Sequence, residues 1–445
     1  MSQSGRCLAV GVILFWQGVV SAESANDIAQ IISKPVDIPG ATTYMVAMRD
    51  GVKLATDVIL PKGTPDAKYS AILIRTPYNR RGLVGQKAAE GIPKLGFAAV
   101  VQDMRGRFGS EGEDFPVFGG CGWARIRDGY DTVEWIATQP WSDGKVGMMG
   151  PSAMGITQNL TLPTQPPHLL CAFVMVAASD MYSQAMYWGG APRRFLAEGW
   201  IAQNKMDRRN LDLFSAHPSY DEFWDFGNTE KEIHRVNVPA LYYGGWYDMF
   251  CQGTINSFVA AQTRGGPGAR GKCRLIMGPW DHHGPPEGLK YPPNAEPKLE
   301  LWAMEWFMKH IKGADITGGR MKPVLYYVMG ACEEEGAPGN VWRQADTWPV
   351  PSEPVAYYFH KGGLLSTDKP TAAEASISYD YDPKNPVETR GGGNLILKKG
   401  PMDQRPVESR ADVLLFTTPV LAEPVEVTGR ITVCLLYTSP SPRDS

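Results

Sequence analysis

The sequence predicts an α/β protein followed by an all-β region, and three observations carry that prediction. Short apolar runs alternate with amphipathic stretches from Tyr44 to about Trp348, as a sheet covered by helices requires. Those runs end in glycine or polar residues, which suits buried parallel strands that present a site at their carboxyl ends. From about Pro349 onward the pattern shifts to short β-branched and aromatic segments separated by Pro, Gly and Asp.

Met1 to Ala22 carries Arg6, an apolar run from Leu8 to Val20, and the small residues Ser21-Ala22 before Glu23. This is the pattern of a cleaved secretory signal. The run is shorter than the ~20 residues of a membrane span. An exported product, periplasmic or secreted and with no stable membrane insertion after cleavage, is therefore expected; an uncleaved anchor is the alternative.

Met48 to Leu54 reads as a hairpin turning at Asp50-Gly51. Ser70–Arg75, Ala98–Gln102 and Val146–Met149 read as buried parallel strands. Between the last two, Asp128–Gln139 places Tyr130, Val133, Trp135 and Ile136 at helical spacing and supplies a crossover. Leu169–Ala178 is a further strand. Ser179 to Arg235 is rich in aromatic and charged residues at helical periodicity, including Met186-Tyr187-Trp188-Gly189-Gly190, and reads as a helical cap inserted between sheet strands. Val238–Tyr243 and Arg274–Met277 resume the sheet, and Leu299–Ile311 is an amphipathic helix. In the β region, Val355–Phe359 and Val413–Thr417 are strand candidates. Cys434 to Ser445 breaks from the preceding strand-like pattern and reads as a translated sequencing adapter, so the natural chain is expected to continue past Val433 with further β structure.

The chain has 445 residues, 43% of them hydrophobic and 20% charged, which suits a globular protein with sizeable cores. Its net charge of -3 leaves no basic footprint, so nucleic acid is excluded as an expected partner. The seven cysteines include no C-x-x-C pair, which indicates neither a zinc site nor a disulfide framework. Oligomeric state is left open.

The run Val146 to Ile156, V-G-M-M-G-P-S-A-M-G-I, sets Ser152 between Gly150 and Gly155 at the end of a strand-like segment. Small neighbours permit a sharp turn that lifts the hydroxyl above the sheet, and a following helix aims backbone N–H groups at a developing oxyanion. The spacing G-x-S-x-x-G is one residue longer than the usual elbow, and a strand-to-helix turn with a capping serine is the alternative. Serine acyl transfer needs an acid and a base, which in this class of sheet follow in the order Ser, Asp, His. Val238–Tyr243 runs into Gly244-Gly245-Trp246-Tyr247-Asp248, and Arg274–Met277 into Gly278-Pro279-Trp280-Asp281-His282-His283. Asp248 and His282 are the candidates, with His283 as the alternative base. A metal half-site at Asp281-His282-His283 lacks any accompanying H-E-x-x-H spacing. Asp103 and Arg105 read as braces beside the elbow. Trp188, Trp246 and Tyr247 are candidate walls of a substrate pocket or, equally, core aromatics.

The stretches M-R-D-G-V-K-L-A-T-D, I-R-T-P-Y, V-Q-D-M-R-G-R-F-G-S-E-G, D-G-K-V-G-M-M-G-P-S-A-M-G, G-G-W-Y-D, G-P-W-D-H, G-P-M-D-Q-R and D-V-L-L-F-T-T occur in that order. Together they make the chain resemble the cocaine esterase / X-Pro dipeptidyl-peptidase group of serine hydrolases (CocE/NonD type) from about Tyr44 to Val433. The resemblance implies an α/β-hydrolase domain over residues 23–348 with a cap at about 179–235, and a partial jelly-roll-like β domain over 349–433. It implies Ser152 as nucleophile, Asp248 as acid and His282 as base. Tyr78, in I-R-T-P-Y, would donate to the oxyanion beside the backbone N–H of Ala153, although a buried core tyrosine is an alternative for Tyr78. Where relatives commonly carry an aromatic residue after the serine this chain has Ala153, which implies a wider acyl pocket. The expected substrate is a small ester or amide, with an Xaa-Pro dipeptide as the runner-up and a non-catalytic binding protein on the same fold as the rival of another class. Neither a metal nor an organic cofactor is expected.

Overall fold

An Asp-Gly turn between two alternating segments starts the sheet. β1 (Thr42–Ala47) and β2 (Lys53–Ile59) pair antiparallel, and Gly51 sits at φ 85°, a left-handed conformation that glycine adopts at no steric cost. The structure is a computed structural model describing residues 34–434 apart from 65, 287, 320 and 372–376. The signal read at residues 1–22 and the tail after Cys434 lie outside the described residues.

In chain order follow β3 (Tyr69–Thr76), β4 (Ala98–Asp103), β5 (Ser142–Pro151) and β6 (Leu169–Met175). A small hairpin comes next, β7 (Tyr187–Trp188) with β8 (Ala191–Pro192). The sheet resumes with β9 (Ala240–Tyr247), β10 (Arg274–Asp281), β11 (Val324–Val328) and β12 (Val341–Ala345). They assemble into a 10-stranded sheet in the order β1-β2-β4-β3-β5-β6-β9-β10-β11-β12. From β4 to β11 every neighbouring pair is parallel, and antiparallel strands close both edges. The two strands β11 and β12 were not anticipated.

Parallel strands bury both faces under helices, which is why the central segments read as continuous apolar runs. Ile72, Leu73, Val100, Val101 and Phe173 are all buried. Leu299–Lys312 covers one face with Trp302, Ala303, Trp306, Phe307 and Ile311 at helical spacing, and ends at Gly313 with φ 72°. Burying each large side chain of this kind contributes about 1.5–3 kcal/mol. Asp128–Ala137 and Ala153–Thr161 are the crossover helices flanking the elbow strand.

Between β6 and β9 the chain leaves the sheet as expected. It forms a π-helical turn at Met181–Met186, helices at Arg194–Gln203 and Arg209–Ala216, and 3-10 turns at Glu222–Gly227 and Ile233–Arg235. The cap packs around Trp224, which is fully buried among Tyr182, Tyr187, Phe214 and Phe223.

The C-terminal region departs from the sequence reading. Among the described residues it forms one hairpin, β13 (Tyr358–His360) with β14 (Leu364–Ser366), and a short helix at Arg405–Glu408. Val413–Thr417 is not a strand; only a single bridge joins Thr417 to Leu364. Val355, Tyr381, Val427 and Ile431 stand exposed. No jelly roll is present among the described residues, because alternating apolar residues make a strand only when a neighbouring strand satisfies the backbone.

The six described cysteines are all free. Among the described residues no group of three or more His, Cys, Asp or Glu could hold a metal ion, and no helix is long and apolar enough to cross a membrane.

Candidate active site

β5 delivers Ser152 to the top of the sheet, and the turn that follows is as sharp as the glycines around it suggest. Ser152 has φ 58° and ψ -126° and caps the helix Ala153–Thr161. A serine in this region costs on the order of 1–3 kcal/mol, so surrounding contacts must hold it there. Ser152 N donates to Met175 O at 2.9 Å, while Gly155 N and Ile156 N donate to Ser152 O at 2.8 and 2.9 Å. Position 155 must be glycine, since a Cβ there would lie 2.6 Å from Ala177 Cβ and 2.8 Å from Met175 O. This close approach of helix and strand explains the glycine at position 155.

Beyond β6 in the sheet, β9 and β10 end beside the elbow. Asp248 directly follows β9 and His282 directly follows β10, and both are buried. His282 Nε2 lies 2.9 Å from Ser152 Oγ, and His282 Nδ1 lies 2.7 Å from Asp248 Oδ1. The carboxylate fixes the proton on Nδ1, leaving Nε2 free to accept from the serine hydroxyl. A tight turn presents the imidazole: His283 N donates to Asp281 Oδ1 at 2.7 Å and Asp281 N to Gly284 O at 2.8 Å. The neighbouring His283 is not in the serine's hydrogen-bond chain; burial, then the nearby His282, holds its pKa well below the ordinary 6.5.

Tyr78 stands across from the histidine, buried at the end of the β3 strand connection. Its hydroxyl accepts from Trp200 Nε1 at 3.0 Å. Burial raises its pKa above the ordinary 10, with the neighbouring Trp200 and Ser152 opposing, so the phenol keeps its proton at neutral pH. The N–H of Ala153 is the first of its helix and has no partner within that helix. Asp103 and Arg105 are braces, as read. Asp103 accepts from Arg80 N, Arg80 Nη1 and Gly109 N at 2.6, 2.7 and 3.1 Å, and Arg105 joins Asp50 to Asp128.

An apolar pocket opens beside Ser152, with Tyr78, Phe118, Met181, Leu196, Trp200 and Phe250 among its walls. Its volume is about 40 Å³, and the rings of Phe118 and Trp200 on its wall stack 5.9 Å apart. The three aromatic wall candidates are elsewhere. Trp188 is 62% exposed on the β7–β8 hairpin, under Arg193. Trp246 turns away to donate to Tyr327 O at 2.8 Å, and Tyr247 pairs with Tyr291. The true walls come from the cap, from the loop after Asp114 and, through Leu395, from the C-terminal region.

Known proteins resemble this chain along most of its length. The family model for the X-Pro dipeptidyl-peptidase (S15 family) matches residues 50–212 and 200–284, which include Ser152, Asp248 and His282. The chain belongs to that family. A second model, the X-Pro dipeptidyl-peptidase C-terminal non-catalytic domain, matches residues 318–445, so this serine hydrolase of the S15 family also carries the family's C-terminal β domain. Cocaine esterase of Rhodococcus sp. (strain MB1 Bresler) is 30% identical, over 90% of this chain and 78% of its own. An α-amino acid ester hydrolase shares the fold at a TM-score of 0.71 and 24% identity, covering 90% of this chain and 76% of its own. An aminopeptidase from a marine sediment Thaumarchaeota archaeon does so at 0.69 and 24%, covering 87% and 73%.

Proposed function

We propose that this S15-family enzyme hydrolyses uncharged esters through an acyl-enzyme on Ser152. The observation that carries the reading is the continuous chain from Ser152 Oγ to His282 Nε2 and from His282 Nδ1 to Asp248, at 2.9 and 2.7 Å. Ser152 Oγ attacks the carbonyl carbon as His282 takes its proton. The oxyanion accepts hydrogen bonds from the Tyr78 hydroxyl and Ala153 N–H. The imidazolium, stabilised by Asp248, returns the proton to the leaving oxygen, and a water then repeats the sequence to release the acid.

The pocket favours the ester over the Xaa-Pro dipeptide. A dipeptidyl-peptidase must hold a protonated N-terminal amine, whose burial without a counter-charge is costly. Among the described residues, no carboxylate lines the pocket. The 30% identical relative is a cocaine esterase. A panel of p-nitrophenyl esters beside Gly-Pro-p-nitroanilide tests the choice. Ester turnover with no anilide cleavage is expected, and preferential anilide cleavage would reverse it. Export is proposed on Met1–Ala22 alone, and N-terminal sequencing of the exported product should begin at Glu23.

A further inference from the structure

Phe118 borders two cavities at once. One is the pocket of about 40 Å³ beside Ser152. The other, of about 140 Å³, shares only Phe118 with it and is walled among others by Pro77, Arg105, Arg107, Asp114, Cys121 and Asp128. We propose that Phe118 is the partition that sets the upper size of the acyl group this enzyme accepts. The inference rests on Ser152 being the nucleophile.

Three features make the ring a built partition rather than incidental packing. Phe118 is 3% exposed, so its ring belongs to the interior. Its backbone lies at φ 65°, a left-handed conformation unusual for a bulky residue, which the loop maintains through Cys121 N to Phe118 O at 2.9 Å and Val117 N to Asn210 Oδ1 on the cap at 2.9 Å. The ring lies nearly parallel to the indole of Trp200, at 8°, and that indole in turn holds the Tyr78 hydroxyl. The partition is thus registered against the oxyanion donor.

The second cavity has the capacity to matter. A cavity of about 150 Å³ accommodates benzene, whereas one of 40 Å³ holds a few waters or a short acyl chain. Its charges are already matched. Arg105 pairs with Asp50 and Asp128, and Arg107 pairs with Asp114 while donating to the carbonyls of Pro77, Asn204 and Lys205. Opening the partition would therefore admit an uncharged group such as a benzoyl ring.

The test compares parent, Phe118→Gly and Phe118→Leu on p-nitrophenyl acetate, butyrate and benzoate, with thermal melts to establish folding. Glycine removes the ring and suits the positive φ; leucine keeps most of the volume and guards against a glycine variant that fails to fold. The parent should prefer acetate, and the benzoate-to-acetate ratio of kcat/KM should rise on the order of tenfold or more in the glycine variant and less in the leucine variant. Unchanged ratios in folded variants, or a parent that already prefers benzoate, would overturn the partition. A parent that hydrolyses none of the esters and takes up no fluorophosphonate overturns the nucleophile assignment, and the partition with it.

Discussion

The indole of Trp200, on the cap helix Arg194–Gln203, donates to the phenol oxygen of Tyr78 over 3.0 Å. That bond occupies an acceptor lone pair of the phenol and couples the cap to the oxyanion site. Tyr78→Phe should lower kcat by roughly 10² to 10³ with little change in KM, as for loss of a donor that acts mainly in the transition state. Trp200→Phe, which keeps the stack on Phe118 but removes the N–H, should lower kcat by about tenfold. Steady-state kinetics on p-nitrophenyl acetate read both, and an unchanged kcat in Tyr78→Phe would make Tyr78 a core residue only.

Asp248 accepts from His282 and is buried, so its charge and its geometry can be separated. Asp248→Asn preserves the shape but presents an amide to Nδ1, favouring the wrong tautomer. A loss in kcat on the order of 10⁴ is expected, with a melting temperature near that of the parent. A loss below tenfold would remove Asp248 from the proton relay.

The triad was legible because its order along the chain and its positions at strand ends are local properties of Val146–Ile156, Val238–Asp248 and Arg274–His283. The pocket was not. Trp246 and Tyr247 adjoin the acid in sequence, but adjacency along the chain does not say what each side chain meets: Trp246 donates to Tyr327 O, and Tyr247 pairs with Tyr291, whose ring packs on Tyr327. Trp188 caps an exposed hairpin instead of the cavity. Trp200, Phe118 and Leu395 carry no motif, since only the packing of cap, loop and C-terminal region brings them to Ser152. The strand candidate Val413–Thr417 did not form for a similar reason: its alternation specifies a face, not a partner.

Acid should weaken the fold through His310, whose ring lies 4.1 Å from Trp306 on the helix Leu299–Lys312. Burial, then the charge of Lys309, pushes its pKa down to about 4 from the ordinary 6.5. As pH falls below 6.5 the unfolded chain binds a proton that the folded chain refuses until about 4, so stability declines across that window. Melting curves from pH 7.5 to 4.5 should show a shallower decline in His310→Leu than in the parent. Parallel declines would mean that His310 does not contribute.

The central claim is that Ser152, raised at φ 58° within 2.9 Å of His282, is the nucleophile. The most direct measurement is peptide mapping by mass spectrometry after reaction with an alkyl fluorophosphonate, in the parent and in Ser152→Ala. One adduct, on the peptide containing Ser152, with complete loss of ester turnover and no adduct in Ser152→Ala, is the expected result. An adduct on another residue, or Ser152→Ala retaining activity within about tenfold of the parent, would contradict the account.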